Sequence, residues 1–224
     1  MIFSSTSAIY ENNSKFPCSE SDKVSPYLIY STSKLQSEML CKSYGETYDL
    51  DVVTLRFFNV YGPHQDITRK LPPLIGYIIR ELYYNNRPIL HSDGNQRRDY
   101  VYTQDVIDLC KLVMTKKGIK SEIFNVCNNT DHSVKEIYQV IANYMGKDIA
   151  PKYNKSEDYW NKYPELYTGS LLLKKEILNK EVNKFALGEN SKAKAIGWKP
   201  RVTLEDGLKR SVDYAVKLLS KEAR

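Results

Sequence analysis

The sequence is short of glycine, and the glycines that it has are far apart. Ten glycines occur in 224 residues, and no two of them lie closer than nine positions. A turn that holds the diphosphate of a dinucleotide needs glycines two or three positions apart, because the backbone must approach the phosphates at a helix N-terminus. The sequence contains no such turn.

The sequence also lacks paired cysteines and long apolar runs. Its four cysteines are too widely separated for a zinc site, and they suit a reducing compartment better than a disulfide framework. No run approaches the roughly 18 apolar residues of a membrane span, and no signal peptide is recognisable. These absences predict a cytoplasmic protein with no metal and no membrane partner.

The charge is positive but not concentrated. The net charge is +6, and no run of basic residues is longer than two, so acidic and basic side chains are interspersed. A nucleic-acid-binding face needs clustered cations. We therefore predict a solvated surface and no nucleic-acid partner.

Two stretches near the start carry chemistry. A short apolar run is followed by Ser4-Ser-Thr6-Ser, a pattern typical of a buried strand that leads into a polar loop. After Ser25-Pro26, which can open a helix, Tyr30 and Lys34 are spaced to share one helix face. An ammonium group beside a phenol lowers its pKa, so Tyr30 could exchange a proton with a substrate hydroxyl that Thr6 holds. Chance alone would supply roughly two such Tyr-Lys pairs in a sequence this rich in both residues, and the sequence contains one.

Five segments, in order, give that pair its weight. They resemble motifs of the extended short-chain dehydrogenase/reductases, the nucleotide-sugar epimerase/dehydratase family, and they cover nearly the whole chain. The segments are Phe3-Ser-Ser-Thr-Ser-Ala-Ile-Tyr10, Ser25-Pro-Tyr with Tyr30-Ser-Thr-Ser-Lys34, Leu55-Arg-Phe-Phe-Asn-Val-Tyr-Gly-Pro63, Asp93-Gly-Asn-Gln-Arg-Arg-Asp-Tyr-Val-Tyr102 and Gly197-Trp-Lys-Pro200.

The resemblance implies catalytic and cofactor roles for five residues. Thr6, Tyr30 and Lys34 would be catalytic: Tyr30 removes the proton of the sugar C4 hydroxyl, Thr6 orients that oxygen, and a hydride passes to NAD, or to NADP. Lys34 would hold the nicotinamide ribose. Ser4, Tyr30, Lys34 and Phe58 would contact the cofactor, with Phe58 packed against the nicotinamide.

The resemblance also implies a substrate, a nucleoside-diphosphate sugar. The Asn59 amide would hold its diphosphate and Arg98 a phosphate of the nucleotide, while Thr6 contacts the sugar. Arginine suits bidentate phosphate binding better than lysine does. The full-length form is expected to be a homodimer.

The implied fold is α/β: the C-terminal half of a Rossmann-type doubly wound sheet plus a small α/β substrate domain, without the glycine-rich first half. Residues 1–70 would be the remainder of the Rossmann domain with the catalytic helix. Residues 71–224 would mainly form the substrate domain, with segments near 89–127 interleaving. About 100 residues of the family's fold are expected to be missing, and the chain alone is expected to be inactive.

The motifs leave the reaction open among three alternatives. Thr6 is followed by Ser7 and Ala8, whereas 4,6-dehydratases of the family typically have acidic residues there, so 4-epimerisation is favoured. The tail at 186–194 instead resembles the GDP-mannose 4,6-dehydratase branch, and the family's usual Arg-x-Gly-Asp is not visible. A non-catalytic remnant or sugar-nucleotide-binding module is the third alternative. Glu11 stands where the family usually has glycine.

Local patterns predict the main elements. Residues 26–48 should form the catalytic helix, with Leu35, Met39 and Leu40 as its apolar stripe. Residues 51–56 and 123–127 read as buried parallel strands, and 97–102 as a strand. Thr103-Gln-Asp105 should cap a helix over 106–116, and Ser133 with Glu136 forms a capping box. The aromatic stretch 153–167 suggests a lid or a substrate-domain insertion.

Overall fold

A parallel sheet carries the start of the chain. The structure is a computed structural model that describes residues 1–155, 158, 161–166, 168, 174, 176–177 and 184–222. Strands β1 (Ile2–Thr6), β2 (Val53–Phe57) and β6 (Ile123–Val126) form one sheet in the order β1-β2-β6. Both pairings are parallel, with Ile2 opposite Val53 and Thr54 opposite Ile123. The apolar runs predicted as buried parallel strands are thus β2, at the centre of the sheet, and β6.

The remaining elements alternate between short strands and helices. The other strands are β3 (Asn59–Tyr61), β4 (Ile89–His91), β5 (Arg97–Tyr102), β7 (Asp131–Ser133) and β8 (Lys152–Asn154). The helices are α1 (Ile29–Tyr48), α2 (Leu74–Tyr83), α3 (Thr103–Thr115), α4 (Val134–Tyr144), α5 (Ser191–Ala195) and α6 (Leu204–Glu222), with 3-10 helices at Ser7–Tyr10 and Pro164–Leu166. β3 pairs in parallel with β5, and β4 with β8. The chain is therefore an α/β protein with parallel strand pairs, as predicted.

The chain divides into two compact units. The first comprises Met1–Gly62, Arg98–Asp131 and Ala186–Gly207, and the second comprises the three intervening or following segments, Pro63–Arg97, His132–Phe185 and Leu208–Arg224. The opening segment of the first unit ends at Gly62, and the unit also takes in a middle and a late segment of the chain. The expected division at residue 70, with segments near 89–127 interleaving, stays a prediction.

The core of the first unit lies between the sheet and α3. Leu55 and Phe124 from the sheet pack with Leu109 of α3 and with Trp198, all almost fully buried. Burial of such large apolar side chains contributes about 1.5–3 kcal/mol each. Asp105 fastens the late segment to α3, because its carboxylate accepts the backbone N–H of Arg201 at 2.9 Å, and its carbonyl accepts from Trp198 Nε1 at 2.8 Å.

Asp105 therefore does not act as the predicted cap of α3. The helix begins at Thr103, earlier than the expected start at 106, and its N-cap Tyr102 makes no side-chain capping bond. The second unit matches its prediction better: Ser133 and Glu136 form the reciprocal capping box at the start of α4. Tyr159, Trp160 and Tyr167 of the expected lid lie outside the described residues.

The predicted apolar stripe of α1 is wrong in large part. Met39 and Leu40 are 63% and 59% exposed, and only Leu35 packs against a cluster of buried residues. The helix instead buries Ser31, Glu38 and Gly45. The reason is electrostatic: Glu38 forms an ion pair with Arg56 of β2, and this polar pair takes the inward face.

Candidate active site

The end of β1 presents the hydroxyl group of Thr6 in a fixed orientation. β1 passes through Ser4 and buried Ser5 and ends at Thr6, at the carboxyl end of the parallel sheet, where open α/β sheets place their ligands. Thr6 Oγ1 accepts the backbone N–H of Ala8 at 3.1 Å and so caps the 3-10 helix Ser7–Tyr10. Because that oxygen is held as an acceptor, its own proton is left to donate to another oxygen.

Helix α1 brings Tyr30 and Lys34 to the same strand. Lys34 Nζ donates to the carbonyl oxygen of Ser4 at 3.0 Å and lies 5.2 Å from the centre of the Phe3 ring. Tyr30, the second residue of the helix, is 57% exposed. Within the described part of the chain, the Tyr30 hydroxyl group has no hydrogen-bond partner. The structure therefore joins Lys34 to β1 and leaves the Tyr30 side chain exposed.

Phe58 follows β2 but is enclosed by the core. It is 6% exposed and lies in a buried cluster with Ile9, Tyr10 and Cys127. Its ring stacks on that of Tyr10, with the centroids 6.3 Å apart. A Cβ atom on Gly188 would lie 2.5 Å from the ring, so glycine is needed there for close packing. This is the environment of a core residue, and the contact with a nicotinamide stays a prediction.

Asn59 and Arg98 lie on neighbouring strands. β3 and β5 pair in parallel with Asn59 opposite Tyr100, which places Arg98 two residues earlier on the adjacent strand. The side-chain nitrogen Nδ2 of Asn59 donates to the backbone oxygen of Asp99 at 3.0 Å, so the amide is held in place. Asn59 and Arg98 are both partly exposed. The register thus places Asn59 and Arg98 on adjacent strands, and their roles in holding a diphosphate stay predictions.

Asp99 organises the loops around that pair, and sequence reasoning missed it. Its side chain is fully buried and accepts the backbone N–H groups of Asn128, Asn129 and Gly188 at 2.7, 2.9 and 3.3 Å. Burial raises the pKa of Asp99 to about 7, against the three N–H donors, which lower it. One carboxyl group therefore ties two distant loops to β5.

A buried polar network joins β1, α1 and β2, and it too was missed. Arg56 donates to both oxygens of Glu38, from Nε at 3.1 Å and from Nη2 at 2.8 Å, and from Nη1 to the Tyr10 hydroxyl oxygen at 2.7 Å. Ser5 donates its hydroxyl proton to Glu38. Tyr10 in turn donates to Asn125 Oδ1 of β6 at 2.9 Å. Ser5 precedes Thr6 directly, so this network supports the end of β1.

The cysteines and histidines offer no competing centre. All four cysteines are free thiols, and burial raises the pKa of Cys18 to about 11 and that of Cys127 well above its ordinary value, which makes both poor nucleophiles. No cluster of three or more His, Cys, Asp or Glu side chains in the described ranges is arranged to hold a metal ion. None of the helices described has the length and apolar character to cross a bilayer.

Comparison with known proteins places this geometry in a family. A family model described as GDP-mannose 4,6 dehydratase matches residues 1–211. The mouse dTDP-D-glucose 4,6-dehydratase is 29% identical over 214 residues, which are 95% of this chain and 54% of that protein.

Solved structures agree on the fold. The Thermotoga maritima UDP-glucose 4-epimerase with UDP-glucose is 30% identical, with a TM-score of 0.81 over 97% of this chain and 63% of that one. The Bacillus cereus UDP-glucuronic acid 4-epimerase in complex with UDP-glucuronic acid and NAD is 26% identical, with a TM-score of 0.77 over 97% and 61%. The chain thus spans between 54% and 63% of the length of these three proteins. The match to the family model covers most of the sequence, and the chain belongs to the NAD-dependent nucleotide-sugar epimerases and dehydratases, the extended short-chain dehydrogenase/reductase family.

Proposed function

We propose that this chain carries the acid/base groups and part of the substrate site of a nucleotide-sugar 4-epimerase. The observation that carries the proposal is the arrangement at the end of β1. There Thr6 is oriented as a donor, Lys34 is bonded to Ser4, and Tyr30 stands one helical turn before Lys34 with its hydroxyl group accessible.

In this proposal the three residues share the handling of one proton. Tyr30 accepts the proton of the sugar C4 hydroxyl and later returns it, as a general base and then a general acid. Thr6 donates its hydroxyl proton to the same C4 oxygen and keeps it in place. Lys34 attaches this part of α1 to β1 through its bond to the carbonyl oxygen of Ser4.

The residues present fit one end of NAD. Ser4 and Lys34 offer a carbonyl, a hydroxyl and an ammonium group at the carboxyl end of β1, which suit the hydroxyl groups of a nicotinamide ribose. The glycine spacing offers no turn for the diphosphate of the cofactor, so the fit is limited to that end. NAD, when bound, supplies the acceptor and donor of the hydride at sugar C4, and NADP would serve the same chemistry.

The substrate of the proposal is a nucleoside-diphosphate sugar. Asn59 and Arg98 lie on adjacent strands and offer an amide and a guanidinium to the two phosphates. The T. maritima epimerase, whose structure contains UDP-glucose, makes a UDP-sugar the first substrate to test.

The proposal also includes a second copy of the chain. Ile29, Leu40, Tyr44 and Tyr48 of α1 are half or more exposed, an unusual composition for the surface of a single helix. A homodimer in which this face is covered would explain their exposure.

Epimerisation is favoured over dehydration by the residues that follow Thr6. A 4,6-dehydratase must remove a hydroxyl group from C6 as water, which requires an acid nearby. Here the positions hold Ser7 and Ala8, and the backbone N–H of Ala8 is used to orient Thr6. The match to the GDP-mannose 4,6 dehydratase model and the 29% identity to the mouse dehydratase keep dehydration as the second candidate.

The test is a fusion of this chain to the part of the T. maritima epimerase that the comparison leaves uncovered, assayed with NAD and with UDP-, dTDP- and GDP-glucose. A 4-epimerase converts the glucose derivative to the galactose derivative of unchanged mass, which NMR distinguishes. A dehydratase yields a product lighter by one water. If neither product forms while the fusion still binds a nucleotide sugar by calorimetry, the chain is a binding module and the proposed reaction is wrong.

A further inference from the structure

Glu11 stands at the far end of the turn that begins at Thr6. The 3-10 helix Ser7–Tyr10 has Thr6 as its N-cap and Glu11 as its C-cap, and the N–H of Glu11 donates to the carbonyl oxygen of Ala8 at 3.0 Å. A single four-residue turn therefore connects the two side chains. Any group that Glu11 holds is fixed relative to the Thr6 hydroxyl group.

Glu11 holds the N-terminus of α1. Its Oε1 accepts the backbone N–H groups of Tyr27 and of Leu28, the latter at 2.8 Å, and the hydroxyl proton of Ser31 at 2.7 Å. The N-cap residue of the helix, Leu28, has no side-chain acceptor of its own. The N–H group of the N-cap residue needs an acceptor, and Glu11 supplies it from seventeen residues upstream.

In the described part of the chain, the Glu11 carboxylate makes side-chain hydrogen bonds only to these three groups. Its second oxygen, Oε2, is buried and has no hydrogen-bond partner there. A carboxylate at a helix N-terminus also interacts favourably with the positive end of the helix dipole. Ser31, which completes the contact, is fully buried. The Ser31 end of the contact is therefore shielded from water.

We infer that Glu11 is a positioning residue for Tyr30. Tyr30 lies between two connections of α1 to the Thr6 segment: the contacts of Glu11 with residues 27, 28 and 31, and the bond from Lys34 to Ser4. If the first connection is lost, the first turn of α1 frays and Tyr30 is no longer fixed relative to the Thr6 segment, while Lys34 stays attached to Ser4. The inference rests on the proposed function, since it gives Tyr30 its catalytic task.

The first experiment uses the 224-residue chain and does not depend on activity. Amide hydrogen exchange is compared for the wild type, Glu11→Gly, Glu11→Gln and the control Thr203→Ala, which removes the side-chain cap of α6. In Glu11→Gly, protection of Thr32, whose N–H makes the bond to Leu28 O, should fall about 3- to 30-fold, the range for loss of a cap. Because Glu11→Gln retains an acceptor, its Thr32 protection should lie between those of the wild type and Glu11→Gly. Thr203→Ala should leave the protection of the Thr32 amide unchanged.

The second experiment separates positioning from stability in the fusion protein. Glu11→Gly should lower kcat about tenfold or more while KM changes less than twofold, because only the placement of the proton acceptor is affected. Glu11→Gln should restore part of kcat, and Thr203→Ala should leave both constants unchanged.

The outcomes distinguish the two proposals. Thr32 protection within twofold of wild type in Glu11→Gly overturns the inference, as does an unchanged kcat or an effect on KM alone. A uniform loss of protection throughout the chain also overturns it, since the role is then one of general stability. If the fusion turns over no nucleotide sugar, the proposed function fails, and the exchange at Thr32 still decides whether Glu11 holds this turn.

Discussion

Replacing Glu38 by glutamine is the most informative perturbation of the fold. Glu38 and Arg56 are both about 5% exposed, and Arg56 donates to both carboxylate oxygens. The substitution preserves the size of the side chain but removes its charge, and it sets an amide N–H₂ against the guanidinium. Arg56 then keeps its charge in a buried site, and its acceptors among the described residues are the uncharged amide oxygen at position 38, the Tyr10 hydroxyl group and the Glu20 carbonyl oxygen.

The expected loss in the free energy of unfolding is about 3–5 kcal/mol, the range for a buried pair that loses one partner. Such a loss is a large part of the roughly 5–15 kcal/mol by which single domains are stable. The matched control is Glu46→Gln on the same helix. Glu46 pairs with Lys42 at 3.7 Å while both side chains are more than 60% exposed, and exposed pairs at this spacing are worth about 0.5 kcal/mol.

Urea unfolding followed by circular dichroism measures the two variants and the double variant Glu38→Gln with Arg56→Met. Because the double variant removes the uncompensated charge, it should be more stable than Glu38→Gln alone, with a coupling energy of about 1–3 kcal/mol. The reasoning is refuted if Glu38→Gln is no more than about 1 kcal/mol less stable than Glu46→Gln, since a buried, doubly bonded carboxylate would then count for no more than a solvated one.

Further predictions concern the site. In the fusion protein, Tyr30→Phe should lower kcat by about 10²- to 10⁴-fold with nucleotide-sugar binding nearly unchanged, whereas Tyr44→Phe on the same helix should leave both unchanged; a Tyr30→Phe kcat within threefold of wild type would sink the assignment. Arg98→Ala should raise Kd for the nucleoside diphosphate by the equivalent of about 1.5–3 kcal/mol, with Arg97→Ala as the neighbouring control, and equal Kd values would reject the phosphate contact. Burial raises the pKa of Asp99 to about 7, so at pH 5 the folded state holds a proton that the unfolded state has released. The stability of the wild type relative to Asp99→Asn, measured by urea unfolding, should therefore fall as the pH rises from 5 to 8. A constant difference would contradict this. Calorimetry of the 224-residue chain with NAD should detect no binding, because the sequence has no closely spaced glycines; a Kd below about 100 µM would overturn that expectation.

Local patterns in the sequence predicted the elements that depend on local chemistry. The apolar run before Arg56 is the central strand β2, and the Ser133 and Glu136 spacing forms the capping box of α4. Both features are encoded within a few residues. The motifs also predicted the family, which the comparisons confirm.

The contacts that hold the candidate site were not predictable in this way. Glu38 pairs with Arg56 eighteen residues away, and the Asp99 carboxylate binds Gly188, eighty-nine residues away. Hydrophobic periodicity assigns a charged residue to the outside, so a buried ion pair inverts the predicted inward face of α1. In the sequence, Glu11 is only a departure from the family's usual glycine. Its acceptor role cannot be predicted there, because that role exists only once α1 has been placed.

The sheet order β1-β2-β6 has a consequence for how the chain folds. Paired residues of β1 and β2 are about fifty positions apart along the chain, and those of β2 and β6 about seventy. Both pairings are parallel, so neither can form from a local hairpin. Each requires closure of a long loop before any ladder bond is made, and topologies dominated by such contacts fold slowly. Helix α1, which lies between β1 and β2, can form within microseconds. We therefore expect the helix that carries Tyr30 to exist long before the strand that carries Thr6 finds its neighbour. Thr6 and Tyr30 then take up their relative positions only in this slow step of folding.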